Sequence, residues 1–132
     1  MGVLDALALF DTSLLGKIVI HYQLFGSCLW RVGTERQRHV LKDVDEGVHT
    51  ASFCMTEIGH GSNVRAVETE AHYDSSRKEF VLNTPVDSAT KMWAGNVAYY
   101  GTLTIVFAQL IVDGTNHGVH AFLVPLRDPK TL

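Results

Sequence analysis

The stretch Met55-Thr56-Glu57-Ile58-Gly59-His60-Gly61-Ser62-Asn63 stands where the chain changes pattern, and its reading decides the rest. An apolar run, Ala51 to Met55, leads into it; a turn-prone segment and then an alternating run follow. Glycines two residues apart let a backbone bend tightly and bring its N–H groups close to a ligand. Thr56, Ser62 and Asn63 add hydroxyls and an amide that can orient a ligand's polar edges. These residues describe a loop between strands that holds something flat and polar, although Gly-His-Gly-Ser-Asn alone is also an ordinary turn. No third glycine opens a helix, so this is not the dinucleotide fingerprint, and the Lys-Ser/Thr pair of a phosphate-binding P-loop is missing.

Downstream of the loop the period is that of strands. Val67, Thr69, Ala71 and Tyr73 alternate with Glu68, Glu70 and His72, which is half-buried strand patterning. Asp74 to Lys78 is a polar turn and Glu79 to Leu82 returns, giving a hairpin. Asn83-Thr84-Pro85 breaks it, and Val86 to Met92 reads as a weaker, irregular strand. Trp93-Ala94-Gly95-Asn96 is a second turn with an aromatic at its edge. Thr102 to Val112 is the strongest strand; Asp113 to Asn116 turns it back into His120 to Leu126, where Pro125 limits the last strand to an edge or an end.

Upstream the period is helical. Gly2 to Asp11 is a short amphipathic helix, and Asp11-Thr12-Ser13 caps a second, Ser13 to Val32, apolar nearly all round. Such a helix reads as buried, its covering partners lying outside this chain or in another subunit. Lys17, His21 and Gln23 interrupt it, so no membrane span is expected. Gly33-Thr34 starts a charged third helix, Glu35 to Asp43. The expectation is an α+β chain: residues 1–50 form a helical part, which the family resemblance given below makes the end of a helical domain, and residues 51–132 a mainly antiparallel β-barrel or sandwich.

Composition narrows the function classes. The 132 residues carry a net charge of -3 with 46% hydrophobic content, a globular balance with no basic stripe for nucleic acid. Cys28 and Cys54 make no disulfide framework, which favours a reducing compartment and inert packing. The N-terminus shows no signal-peptide pattern, and Pro129-Lys130-Thr131-Leu132 is not a Ser-Lys-Leu peroxisomal address. His117 and His120 are three apart on a strand and point to opposite faces, and His60 has no clustered ligand set, so no metal site is assigned. Ser62 and His60 lack an acid partner and a nucleophile elbow. Glu57 reads as a structural acceptor for backbone N–H groups, and Trp93 as either core or cofactor platform.

Taken together, several segments are far more specific than any one. Phe53 to Arg65 with its Thr-Glu-x-Gly-His-Gly run, Glu68 to Asp74, Glu79 to Pro85, Lys91 to Gly95, Phe107 to Leu110 and Gly118 to Arg127 resemble the peroxisomal acyl-CoA oxidases. These are the flavin-dependent oxidase branch of the acyl-CoA dehydrogenase superfamily. The resemblance implies a central β-domain between two helical domains, with FAD as cofactor, a fatty acyl-CoA as substrate and O2 as electron acceptor. It implies oxidation to the trans-2-enoyl-CoA with release of hydrogen peroxide, in the peroxisome, by a homodimeric full-length enzyme. Carried over by motif, Thr56 and Gly95 contact the flavin, and Ser62 and Trp93 line its site.

The second turn departs from the family's Lys-Trp-Trp-Pro-Gly-Gly, reading Lys91-Met92-Trp93-Ala94-Gly95-Asn96 here, and Val97 to Gly101 departs as well. The family's catalytic base is a glutamate of a C-terminal helical domain, and no residue here is matched to it. The chain therefore reads as a fragment or short form of such an oxidase. The alternatives are a non-catalytic truncated paralogue that binds acyl-CoA or a partner, and a small β-sandwich binding module without flavin.

Overall fold

The computed structural model describes residues 2–128, 130 and 131. Met1, Pro129 and Leu132 lie outside the described residues, and with the last two goes part of the C-terminal stretch read above for a targeting address. Two compact units emerge, each built from separate stretches of chain. One comprises the residues up to Phe53, Gly95–Thr104 and those from Pro125 onward; the other comprises Cys54–Ala94 and Ile105–Val124.

The first unit is helical. Helices α1 (Val3–Phe10) and α2 (Thr12–Ile18) meet at Asp11, whose carboxylate accepts from the N–H groups of Ser13 (2.8 Å) and Leu14 (3.1 Å). That is the N-cap the sequence called for. The long second helix continues through Val19–Gly26 into α3 (Ser27–Val32), but its middle winds as a π-helix. Along this π-helical stretch His21 accepts at Nδ1 from the Ala51 N–H (3.1 Å) and meets the Val44 carbonyl at Nε2 (3.2 Å). Those two bonds require the Nε2–H tautomer. The expected third helix breaks at His39 into α4 (Glu35–Arg38) and α5 (Val40–Asp45), with a Thr34/Gln37 capping box at its start.

Within the described residues the second helix is only partly covered. Phe25 and Leu29 are buried, whereas Leu14, Tyr22, Leu24, Trp30 and Val32 are exposed. The all-round apolar pattern is genuine, and α1, α4 and α5 are too short to cover it, in keeping with the expectation that its covering partners lie outside this chain.

Among the described residues five strands make one sheet: β1 (Ala51–Cys54), β2 (Glu70–Asp74), β3 (Glu79–Asn83), β4 (Leu103–Val112) and β5 (Thr115–Pro125). They pair in the order β1-β4-β2-β3, with β5 also on β4. The α+β class stands, but the sheet is open rather than closed into a barrel. The β2–β3 hairpin is antiparallel as expected, whereas β2 and β4 pair in parallel, Ala71 opposite Leu110. A long connection makes that possible, since parallel neighbours need a crossover and not a tight turn. The β4–β5 turn is tighter than expected: Asp113 (φ 50°) and Gly114 (φ 78°) are both left-handed, the geometry of a two-residue type I′ hairpin.

Val67, Thr69 and Ala71 are buried as their alternation required, whereas Tyr73 at the end of the same face is exposed; the buried three share the second unit's core with Ala89, Ile105 and Ala108. The irregular strand expected over Val86 to Met92 is instead a short 3₁₀ turn, Asp87–Ala89, followed by a single antiparallel bridge between Glu57 and Lys91.

Candidate functional site

The glycine loop belongs to the second unit, and its backbone folds on itself. The Glu57 N–H donates to the His60 carbonyl (3.0 Å) and the His60 N–H to the Glu57 carbonyl (3.3 Å). The Ile58 N–H donates to the Thr90 carbonyl (3.0 Å) and the Gly59 N–H to the Ser88 carbonyl (2.9 Å). The expectation that this loop turns its N–H groups toward a ligand therefore fails for residues 57–60, whose donors are already spent internally. Gly59 has a packing reason, because a Cβ there would lie 3.0 Å from the Ser88 Cβ. Gly61 has none of that kind: nothing lies within 4 Å of a Cβ built on it.

Beneath the loop lies Glu57, with its side chain fully buried. Its Oε2 accepts from the Glu68 N–H (2.7 Å), and its Oε1 accepts from the Thr69 N–H (2.9 Å) and the Thr69 hydroxyl (2.6 Å). The Lys91 ammonium donates to Oε1 at 3.0 Å. Burial pushes this carboxyl up, but the Thr69 hydroxyl, the Glu68 and Thr69 N–H groups and Lys91 together outweigh it and hold the pKa at about 2. Glu57 is the structural acceptor that the sequence suggested. Lys91 was quoted in the motif without a role. Its ammonium also donates to the carbonyls of Met55 (3.0 Å) and Phe107 (2.6 Å), so all three donors are used. The available signal was a lysine carried into a stretch otherwise read as strand.

The fold also gathers a group that linear spacing did not show: Glu57, His60 and Glu68 offer ligand atoms within 4.8 Å of one another. His60 Nδ1 is buried without a hydrogen bond, 3.6 Å from both Glu57 Oε2 and Glu68 Oε2. With Lys91 already on Glu57, a cation placed there would face an ammonium across one carboxylate. The donor set does not suit a metal.

Of the four residues the resemblance marks for flavin, three fall in this unit. Thr56 is half-buried, and its carbonyl accepts from the Met92 N–H at 2.9 Å, which ties it to the residue just before Trp93. Trp93 is 87% exposed and left-handed (φ 59°), a conformation costly for a bulky residue. It is thus not core. Ser62 is exposed at the far end of the loop. These features match what a flavin's ring and polar edge require: an open aromatic face at Trp93, a hydroxyl residue whose carbonyl is bonded to the neighbouring Met92, and free space at Gly61.

Gly95 belongs to the other unit. Its carbonyl accepts from the buried Ser52 hydroxyl (2.6 Å), and a Cβ there would strike the Ile20 side chain. Asn96, where the family has a second glycine, adopts φ 70° and donates its amide to the Ala51 carbonyl (3.1 Å). Asparagine tolerates the left-handed region better than most residues, so the departure at this position keeps the turn. The altered stretch after it is closed by Arg127, whose guanidinium donates to the carbonyls of Val97 (2.6 Å), Gly101 (2.8 Å) and Ala98 (3.2 Å). A cavity of about 210 Å³ near α2, lined by Ile18, His21, Tyr22, Thr50 and Asn96, is too small for a flavin.

This fold and these motifs define a class. Residues 52–132, more than half of the chain, match the acyl-CoA dehydrogenase middle domain, and the chain belongs to that family. Within it the likeness runs to the oxidases. A peroxisomal acyl-coenzyme A oxidase 3 of Arabidopsis thaliana is 44% identical over 129 residues, which is 97% of this chain and 19% of that protein. The crystal structure of acyl-CoA oxidase 3 from Yarrowia lipolytica superposes with a TM-score of 0.87 at 40% identity, covering 92% of this chain and 18% of that one. Acyl-CoA oxidase 1 of Caenorhabditis elegans, solved in complex with FAD and ATP, gives 0.82 at 35% identity over 87% of this chain and 18% of that one. The chain thus spans about a fifth of the length of the relatives it matches.

Proposed function

We propose that this chain is the flavin-contacting part of an acyl-CoA oxidase, acting on fatty acyl-CoA in peroxisomal β-oxidation. The observation that carries the reading is the tie between the Thr56 loop and the Trp93 turn, found in a chain whose middle-domain family includes FAD-bound oxidases. FAD held there would supply the two-electron acceptor: the acyl-CoA would lose a hydride from Cβ to the flavin and a proton from Cα to a base, giving the trans-2-enoyl-CoA, and O2 would take up the two electrons and two protons as hydrogen peroxide. The chain's own residues bind and orient. Thr56 presents a hydroxyl and backbone to the ring's polar edge, Trp93 an exposed aromatic face and Ser62 a second hydroxyl; Gly95, the fourth residue that the resemblance marks, lies in the first unit with its carbonyl on Ser52 and Ile20 against its Cα. Residues 1–50 are the end of a helical domain in this reading, 51–132 the β-domain, and the whole enzyme is a homodimer. The non-catalytic alternative rests on the altered second turn and on the unmatched catalytic base; the left-handed Asn96 weakens the first of these grounds and leaves the second.

The purified chain is expected to take up FAD and show the visible absorbance of a bound flavin. Thr56→Ala is expected to weaken FAD binding by tenfold or more without a change in melting temperature. A well-folded chain that stays colourless in excess FAD would sink the proposal.

A further inference from the structure

The second unit holds a device that the motif residues alone do not reveal. Thr56 and Trp93 lie on different segments, and what joins those segments is short. The Met92 N–H donates to the Thr56 carbonyl (2.9 Å) and the Ile58 N–H to the Thr90 carbonyl (3.0 Å), flanking the single Glu57–Lys91 bridge. Two backbone bonds around one bridge, with the Gly59 N–H on the Ser88 carbonyl (2.9 Å) as a third tie, still make only a short ladder, and an isolated two-stranded pairing is at best marginally stable in water.

The side chains of the bridge supply what the ladder lacks. Lys91 Nζ donates to the Met55 carbonyl (3.0 Å) and to Glu57 Oε1 (3.0 Å), the residues immediately before and after Thr56. Its third donor reaches the Phe107 carbonyl (2.6 Å) on β4, so the pair is also anchored to the sheet. Glu57 in turn is fixed by the Thr69 N–H and hydroxyl and by the Glu68 N–H. The Lys91 side chain is 14% exposed and that of Glu57 fully buried, so their attraction is little screened. Thr56 is therefore clamped on both sides by one ammonium, and that ammonium belongs to the residue two before Trp93.

We infer that Glu57 and Lys91 are a positioning pair: they hold Thr56 and Trp93 at one fixed spacing and so set the affinity of the site for a flavin. The inference rests on the cofactor reading above. Neither residue touches the flavin in this account; each acts through Thr56 and Trp93.

The test uses Lys91→Met and the neutral pair Glu57→Gln/Lys91→Met, the second because the single change strands a buried carboxylate. Amide hydrogen exchange and FAD affinity are measured on the full chain. In the neutral pair, the Met92 and Ile58 amides are expected to exchange at least tenfold faster while the β2–β3 hairpin amides stay within twofold of wild type. FAD affinity is expected to fall tenfold or more. Hairpin amides that accelerate equally would make the pair merely structural, and overturn the inference. So would an FAD affinity within twofold of wild type. Wild-type chain that takes up no FAD overturns the cofactor reading itself, a result distinct from unchanged affinity in the variant.

Discussion

Glu57→Ala is expected to destabilise the protein by about 3–5 kcal/mol, the cost of breaking a buried ion pair by removing one partner. The truncation leaves the Lys91 ammonium in a buried setting with only the Met55 and Phe107 carbonyls. It also strands the Glu68 N–H, the Thr69 N–H and the Thr69 hydroxyl, although the last can still donate to the Ala89 carbonyl (3.1 Å). Stranded buried donors cost more than their net contribution when paired. Glu57→Gln keeps a carbonyl for some of these donors and should lose distinctly less. Denaturant titration of the three proteins checks the order. A loss below about 1 kcal/mol for Glu57→Ala would mean that water reaches the site and replaces the carboxylate.

The second large effect is acid sensitivity. Glu57 has a folded pKa of about 2 against an ordinary value of 4.5. A carboxyl depressed by folding adds stability above its unfolded pKa and loses it as pH falls toward its folded pKa, because the unfolded chain takes up the proton first. The contribution is complete at neutral pH, declines from about pH 4.5 and is gone near pH 2. It amounts to about 3 kcal/mol, since each pKa unit is worth about 1.4 kcal/mol. Other carboxylates titrate in the same window; Asp74, for one, is lowered by the Ser76 hydroxyl and nearby N–H groups. The readout is therefore a difference. Between pH 5 and pH 2.5 wild type should lose more stability than Glu57→Gln, and parallel curves for the two would contradict the assignment.

What the sequence could and could not show follows from how far apart the cooperating residues are. The Val67-Thr69-Ala71 alternation, the hairpin around Asp74 to Lys78 and the Asp11 cap are local, and each was readable from neighbouring residues. Glu57 was legible as an acceptor because a carboxylate next to a tight loop finds backbone donors. Lys91 was not, because two of its acceptors, the Met55 and Phe107 carbonyls, lie 36 and 16 residues away. The parallel β2–β4 pairing was hidden for the same reason: period-2 alternation reports which face is buried and says nothing of the neighbour's direction. In the same way, neither end of the His21 link between Val44 and Ala51 announces the other. The Glu57-His60-Glu68 cluster needed the fold to assemble it.

The loop's role has also changed in kind. Its glycines suggested N–H groups turned outward, yet residues 57–60 turn them inward onto Ser88, Thr90 and each other. What remains for a ligand is Thr56 before the tight turn, the open space at Gly61, Ser62 beyond it, and the exposed Trp93. In the function proposed above, the tight turn is the support and its flanks are the contact surface.

The most direct measurement is a comparison of amide spectra of the isotopically labelled chain with and without FAD. The account predicts saturable shifts at Thr56, Ser62, Trp93 and Gly95, with the β2–β3 hairpin amides unmoved. Saturable binding that shifts other residues and leaves Thr56 and Gly95 in place would contradict it.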